Sequence, residues 1–193
     1  MSNAYLEAAP YGLYLDAGSD HSTVDGLQIG PGTTWNRCVY INSGDNHLHH
    51  IHGTVRAPDG THNDVAGIEL VAGAAAEWID NTDLIVAGTS RGVIFRGYEN
   101  TLQISGSADT VGSRFVDVEE AITGCTIYID WRGSAGTVLD LTNSSLDSVD
   151  GLGNNIVVHT HGTPTTKVKF PGGGTTFNLH SGTTLTVDGV LQQ

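Results

Sequence analysis

Two aspartates, Asp117 and Asp140, stand 23 residues apart in the same local setting, Val116-Asp117-Val118 and Leu139-Asp140-Leu141. If both segments are strands stacked on successive turns of the chain, the carboxylates lie about 5 Å apart on one face. Retaining glycosidases separate their two carboxyl groups by about 5–5.5 Å, whereas inverting enzymes need about 6.5–9.5 Å. Glu69, in Ile68-Glu69-Leu70, has the same place in its own segment, as do Tyr14, Tyr40 and Ile94 in Leu13-Tyr14-Leu15, Val39-Tyr40-Ile41 and Val93-Ile94-Phe95. Read as one outward column, these residues offer Asp117, Asp140 and Glu69 as candidate catalytic acids for polysaccharide cleavage. Tyr14 and Tyr40 are the rings on which a sugar would stack. A solvated sheet face with incidental acids accounts for the same residues, and adjacent like charges also discourage association.

The histidines form a second group. His47-Leu48-His49-His50-Ile51-His52 holds four of them, and His159-Thr160-His161 repeats the His-x-His spacing. On a strand, residues two apart share a face, so His47 with His49, or His159 with His161, is positioned to chelate one metal ion. Exposed imidazoles bonded to neighbouring turns are the plainer reading, and their charge changes near neutral pH. Asp80, Asp83 and Arg56 supply the residue types of a lyase-like calcium site, but nothing in their spacing fixes them together.

Such residues need elements to hold them, and the sequence supplies a repeat. The apolar pairs Leu13/Leu15, Val39/Ile41, Ile68/Leu70, Val93/Phe95, Val116/Val118 and Leu139/Leu141 have first members 26, 29, 25, 23 and 23 residues apart. Second short strands are expected between them at Leu27/Ile29, Leu48 to Ile51, Leu84 to Val86, Leu102/Ile104, Ile127/Ile129 and Ile156/Val158. Polar turns carrying Asn46, Asn81, Asn100 or Asn155 lie beside several of these. The 26 glycines and scarce prolines suit short strands joined by tight turns, and no segment reads as an amphipathic helix. One turn of such a chain cannot bury its apolar face alone, whereas stacked turns build a continuous core. The expectation is an all-β parallel β-helix of about six coils. A β-sandwich also yields many short strands, but it does not call for the same unit to return every 23–29 residues.

Charge and composition exclude several partners. The chain has 193 residues and a net charge of −13, from 21 acids against eight bases, so it offers no basic footprint for nucleic acid or an anionic membrane. No run approaches the roughly 18 apolar residues of a membrane span. Met1 to Pro10 lacks the charged start and apolar centre of a signal peptide. Cys38 and Cys125 each flank an apolar strand run and read as buried free thiols, although a single disulfide between them is also open.

The Gly-Leu-Tyr-Leu, Ala-Gly-Ile-Glu-Leu and Arg-Gly-Val-Ile-Phe units resemble rungs of the pectate-lyase-like right-handed β-helix superfamily. Within it, the compact size and Gly/Thr-rich tail are similar to phage tailspikes and viral fibres. The resemblance covers residues 12–162, with 1–11 as an N-terminal arm and 163–193 as a small antiparallel β cap and oligomerisation segment. It implies a homotrimeric viral structural protein: a tail spike, fibre or decoration protein on the virion surface, extracellular after release. Its partners would be other virion proteins and a host surface glycan or receptor. It implies no cofactor beyond a structural transition-metal ion on the trimer axis, held by His159 and His161 of each chain. The alternative it carries is a small polysaccharide lyase or glycoside hydrolase. Asn81-Thr82-Asp83 matches one short motif of polygalacturonases, but the accompanying Asp-Asp, Gly-His-Gly and Arg-x-Lys elements do not occur.

Overall fold

The computed structural model describes residues 4–6, 11–30, 37–56, 65–145, 153–171 and 182–192. Among them are eighteen strands and essentially no helix. The chain is a parallel β-solenoid of about six turns, closed by an antiparallel strand pair at its C-terminal end.

Two sheets face each other. The seven-stranded sheet runs β16 (Thr166–Lys169), β14 (Thr137–Ser145), β12 (Arg114–Thr123), β10 (Arg91–Tyr98), β8 (Ala66–Leu70), β5 (Arg37–Ile41), β2 (Tyr11–Leu15). The main path of the eleven-stranded sheet runs β1 (Ala4–Leu6), β4 (Leu27–Ile29), β7 (His52–Arg56), β9 (Trp78–Ala87), β11 (Thr101–Ala108), β13 (Thr126–Trp131), β15 (Asn155–Thr160), β17 (Thr184–Val187), β18 (Val190–Leu191). Off this path, β3 (Thr23–Asp25) pairs with β6 (His47–His49), and β6 with β9. Each coil crosses the seven-stranded sheet and returns through the other, so the strands up to β17 find their partners in neighbouring coils.

The repeat seen in the sequence is the ladder of the fold. Leu13, Val39, Ile68, Val93, Val116 and Leu139 are successive register partners, and Val168 continues the row. In the facing sheet the corresponding row is Val24, Leu48, Ile79, Leu102, Ile127, Ile156 and Leu185. Val24 and Ile79 belong to this row, whereas Leu27 and Leu84, expected there, lie further along the same coils. Burying each such side chain stabilises the fold by about 1.5–3 kcal/mol before chain entropy is counted. Phe115 and Trp131 pack edge to face at 5.1 Å in this interior.

The coil continues past the boundary expected at residue 162. Strand β16 pairs with β14, and β17 with β15, both in parallel, so antiparallel pairing among the described residues is confined to β17 and β18. The reason is local: Val168 and Leu185 fall into the same inward rows as the apolar residues of earlier coils. At the other end β1, within the expected arm, pairs in parallel with β4.

One corner carries its own polar ladder. Asn46, Glu77, Asn100, Cys125, Asn154 and Thr183 stack there out of solvent. Each is preceded by a left-handed residue where the row is regular: Asp45, Ala76, Glu99, Gly124 and Gly182 have φ between 56° and 87°. Non-glycine residues adopt this conformation only when their surroundings impose it. The asparagines do so. Glu77 N–H donates to Asn100 Oδ1 at 2.9 Å, and Cys125 N–H donates to Asn154 Oδ1 at 2.9 Å. Of the turn asparagines expected at this corner, Asn46 and Asn100 take these places. Asn81 instead sits at a bulge in β9, and Asn154 rather than Asn155 joins the ladder.

Candidate functional site

The acid column is real in register and different in environment. Tyr14, Tyr40, Glu69, Ile94, Asp117, Asp140 and Lys169 are direct neighbours on consecutive coils of the seven-stranded sheet. Asp117 and Asp140 are therefore adjacent, as their spacing predicts. They are not exposed: Glu69 retains 6%, Asp117 0% and Asp140 1% of its surface, and Ile94 is buried as well. This corrects the expectation of an open carboxylate face.

The physical reason lies three residues before and two after the column, where arginines fold over it. Arg114 donates to Asp117 at 2.9 Å and lies 3.5 Å from Asp140. Arg91 reaches Asp117 at 3.3 Å and Glu119 at 2.7 Å. Arg96 bridges Glu69 and Glu119, Arg37 binds Glu69, and Lys169 approaches Asp140 at 3.5 Å. Thr142 N–H also donates to Asp140 at 2.9 Å. Four of the six arginines serve this one face, which is how an acidic chain can stack carboxylates there at all. Burial pushes the Asp117 carboxyl up, Arg114 and Arg91 pull it back, and the neighbouring Asp140 raises it again. The arrangement holds Glu69, Asp117 and Asp140 in buried ion pairs.

Tyr14 and Tyr40 stack with ring centroids 5.0 Å apart and planes 7° from parallel. Tyr14 is 47% exposed and Tyr40 half-buried. Each ring thus gives one face to the other.

The histidines separate into two groups. In β6, His47 and His49 point outward from the eleven-stranded sheet, and register places His49 beside Asp80 of β9. His49 Nδ1 lies 2.5 Å from Asp80 Oδ1, and His47 Nε2 lies 3.6 Å from Asp80 Oδ2. The two imidazole centroids are only 3.4 Å apart. Trp78 Nε1–H donates to Asp80 Oδ2 at 2.9 Å. Burial raises the Asp80 carboxyl, but hydrogen bonds from His49 and Trp78 override it and hold the group below its ordinary range. His50 turns away to Asp25, at 2.7 Å.

His159 and His161 do not converge in this way. His161 lies beyond the end of β15 and contacts Asp130 at 2.9 Å, while the His159 ring packs 5.5 Å from that of Tyr128. The shared-face argument fails there because the strand ends at Thr160. Among the described residues, His47, His49 and Asp80 are the group whose donor atoms gather within 4.8 Å. Asp80 and Asp83 are likewise not a calcium pair: Asp83 is bonded to Arg132 at 3.0 Å, and the bulge at Asn81 lies between the two acids.

That bulge creates one more feature. Asn81, Thr82, Gln103, Ser105, Tyr128 and Asp130 line a shallow open depression of about 200 Å³ on the outer face of the eleven-stranded sheet. Its walls are amides, hydroxyls, a carboxylate, one aromatic ring and the apolar Ile104. No protein-family model, curated protein or solved structure matches this chain.

Sequence reasoning missed the arginine cover, the Asp80 and Trp78 partners of the histidines, and Glu77. The buried thiols of Cys38 and Cys125 are as expected. Glu77 carried a weak signal, since it occupies the position that Asn46 and Asn100 hold in their own coils.

Proposed function

We propose that this chain is a non-catalytic surface protein, a rigid solenoid that projects from a particle and attaches to a glycan through the outer face of its eleven-stranded sheet. The observation that carries this reading is the arginine cover over Glu69, Asp117 and Asp140. The residues best spaced for glycan cleavage are committed to structure, while the polar depression beside Tyr128 remains open. Depressions of this kind suit a sugar, whose hydroxyls take amide and carboxylate partners and whose ring face packs on an aromatic side chain. The likeness of the compact size and Gly/Thr-rich tail to tailspikes and viral fibres extends the proposal to a viral spike, fibre or decoration protein, assembled as a homotrimer on the virion surface.

Glycan-array binding, with polysaccharide digests assayed for new reducing ends and unsaturated products, tests the reading. Binding that is lost in Tyr128→Ala, without cleavage of the bound glycans, supports it. Cleavage abolished by Asp117→Asn would overturn it in favour of a lyase or hydrolase. Sedimentation tests the assembly separately: a stable monomer at micromolar concentration would count against the trimer.

A further inference from the structure

We infer that His47, His49 and Asp80 form a binding site within a single chain for a divalent first-row transition-metal ion of the zinc, nickel or copper type. Two imidazoles and one carboxylate are a donor set that such ions favour and that calcium and magnesium, which prefer oxygen ligands, do not.

The geometry supports this at three levels. First, the donors sit on strands rather than loops. Leu48 and Ile79 are buried register partners between the donors, so the core fixes the outward side chains of β6 and β9. Second, the ring nitrogen His47 Nε2 is out of solvent, has no hydrogen-bond partner and lies 3.6 Å from Asp80 Oδ2. Ligand atoms around a tetrahedral zinc are about 3.3 Å apart for bonds of 2.0–2.1 Å; an ion would replace the 2.5 Å hydrogen bond between His49 Nδ1 and Asp80 Oδ1 and draw His47 Nε2 in from 3.6 Å. Third, the Trp78 indole donates to Asp80 Oδ2 at 2.9 Å and so orients the carboxylate. Bonds of this kind orient metal ligands and raise their affinity. The remaining coordination positions face solvent and take water, since His47 and His49 are both part-exposed.

This site is separate from the trimer-axis position expected at His159 and His161, and it depends on neither assembly nor glycan binding. Zinc titration of the full-length protein at pH 7.5 by calorimetry tests it, with nickel quenching of Trp78 fluorescence as a second readout. The expected result is one zinc ion per chain at this site and no heat with calcium. Affinity falls at least tenfold in His49→Ala and in Asp80→Asn, and is unchanged in His50→Ala and in a His159→Ala/His161→Ala double variant. Trp78→Phe keeps all three ligands and lowers affinity by about tenfold to a hundredfold. It decides the matter if a ligand variant fails to fold. Absence of zinc binding, binding that survives both His49→Ala and Asp80→Asn, or binding that disappears with His159 and His161 would overturn the assignment.

Discussion

Asp117 and Asp140 lie side by side in parallel register on adjacent coils, and both are neutralised by the same guanidinium, that of Arg114. Two carboxylates this close, and this buried, repel each other unless a cation is shared between them. Arg114→Ala is therefore expected to destabilise the fold by about 1–3 kcal/mol, because it removes the cation the two buried carboxylates share and leaves only Arg91 on Asp117 and Lys169 on Asp140. Urea unfolding at pH 7 measures this. The double variant Arg114→Ala/Asp117→Asn should recover part of the loss, and equal stability of the single variant and the parent protein would refute the shared-cation account.

Glu77 gives a second prediction, with a pH signature. Its side chain is buried in the corner ladder, where Asn46 donates to Oε1 at 3.0 Å while Oε2 has no partner. Burial raises the carboxyl pKa to about 7, and the hydrogen bonds from Asn46 offset only part of that rise. The folded state thus holds its proton more tightly than the unfolded state, whose value is 4.5. Stability from this group is full below that value and is lost as pH rises toward about 7. Glu77→Gln keeps the acceptor and removes the titration. It should stabilise the protein by about 3 kcal/mol at pH 8 and by almost nothing at pH 4. Melting temperatures of both proteins across that range decide it.

Gly106 tests the close packing between coils. Its φ is +156°, and a Cβ there would lie 2.0 Å from the Leu84 carbonyl oxygen and 2.7 Å from the Phe115 ring. Gly106→Ala should cost about 2–5 kcal/mol, since neither backbone nor buried ring can yield cheaply. At Gly88, where nothing lies within 4 Å, the same change meets backbone strain alone and should cost about 1–2 kcal/mol. Comparable losses in denaturant midpoint at the two sites would show that the coils are looser than described.

The thiols offer a chemical check. Cys38 and Cys125 are buried, and burial pushes both up, Cys125 to about 11 despite hydrogen bonding with nearby backbone. Neither should react with an aromatic disulfide reagent in the folded protein at pH 8, and both should react in denaturant. Rapid reaction of one thiol without denaturant would place it at the surface.

The sequence by itself determined the repeat, the inward rows and the adjacency of Asp117 with Asp140. All three follow from short-range rules: alternation fixes which residues share a face, and equal spacing in neighbouring coils places like positions together. Tertiary structure decided what those positions experience. The arginines that bury the acid column come from offset positions, often in the next coil, as Arg91 does for Asp117. Asp80 meets His49 across 31 residues because β6 and β9 share a register that the unequal connections between coils conceal. Burial and charge pairing are properties of the stacked surface, and a single strand read alone carries neither.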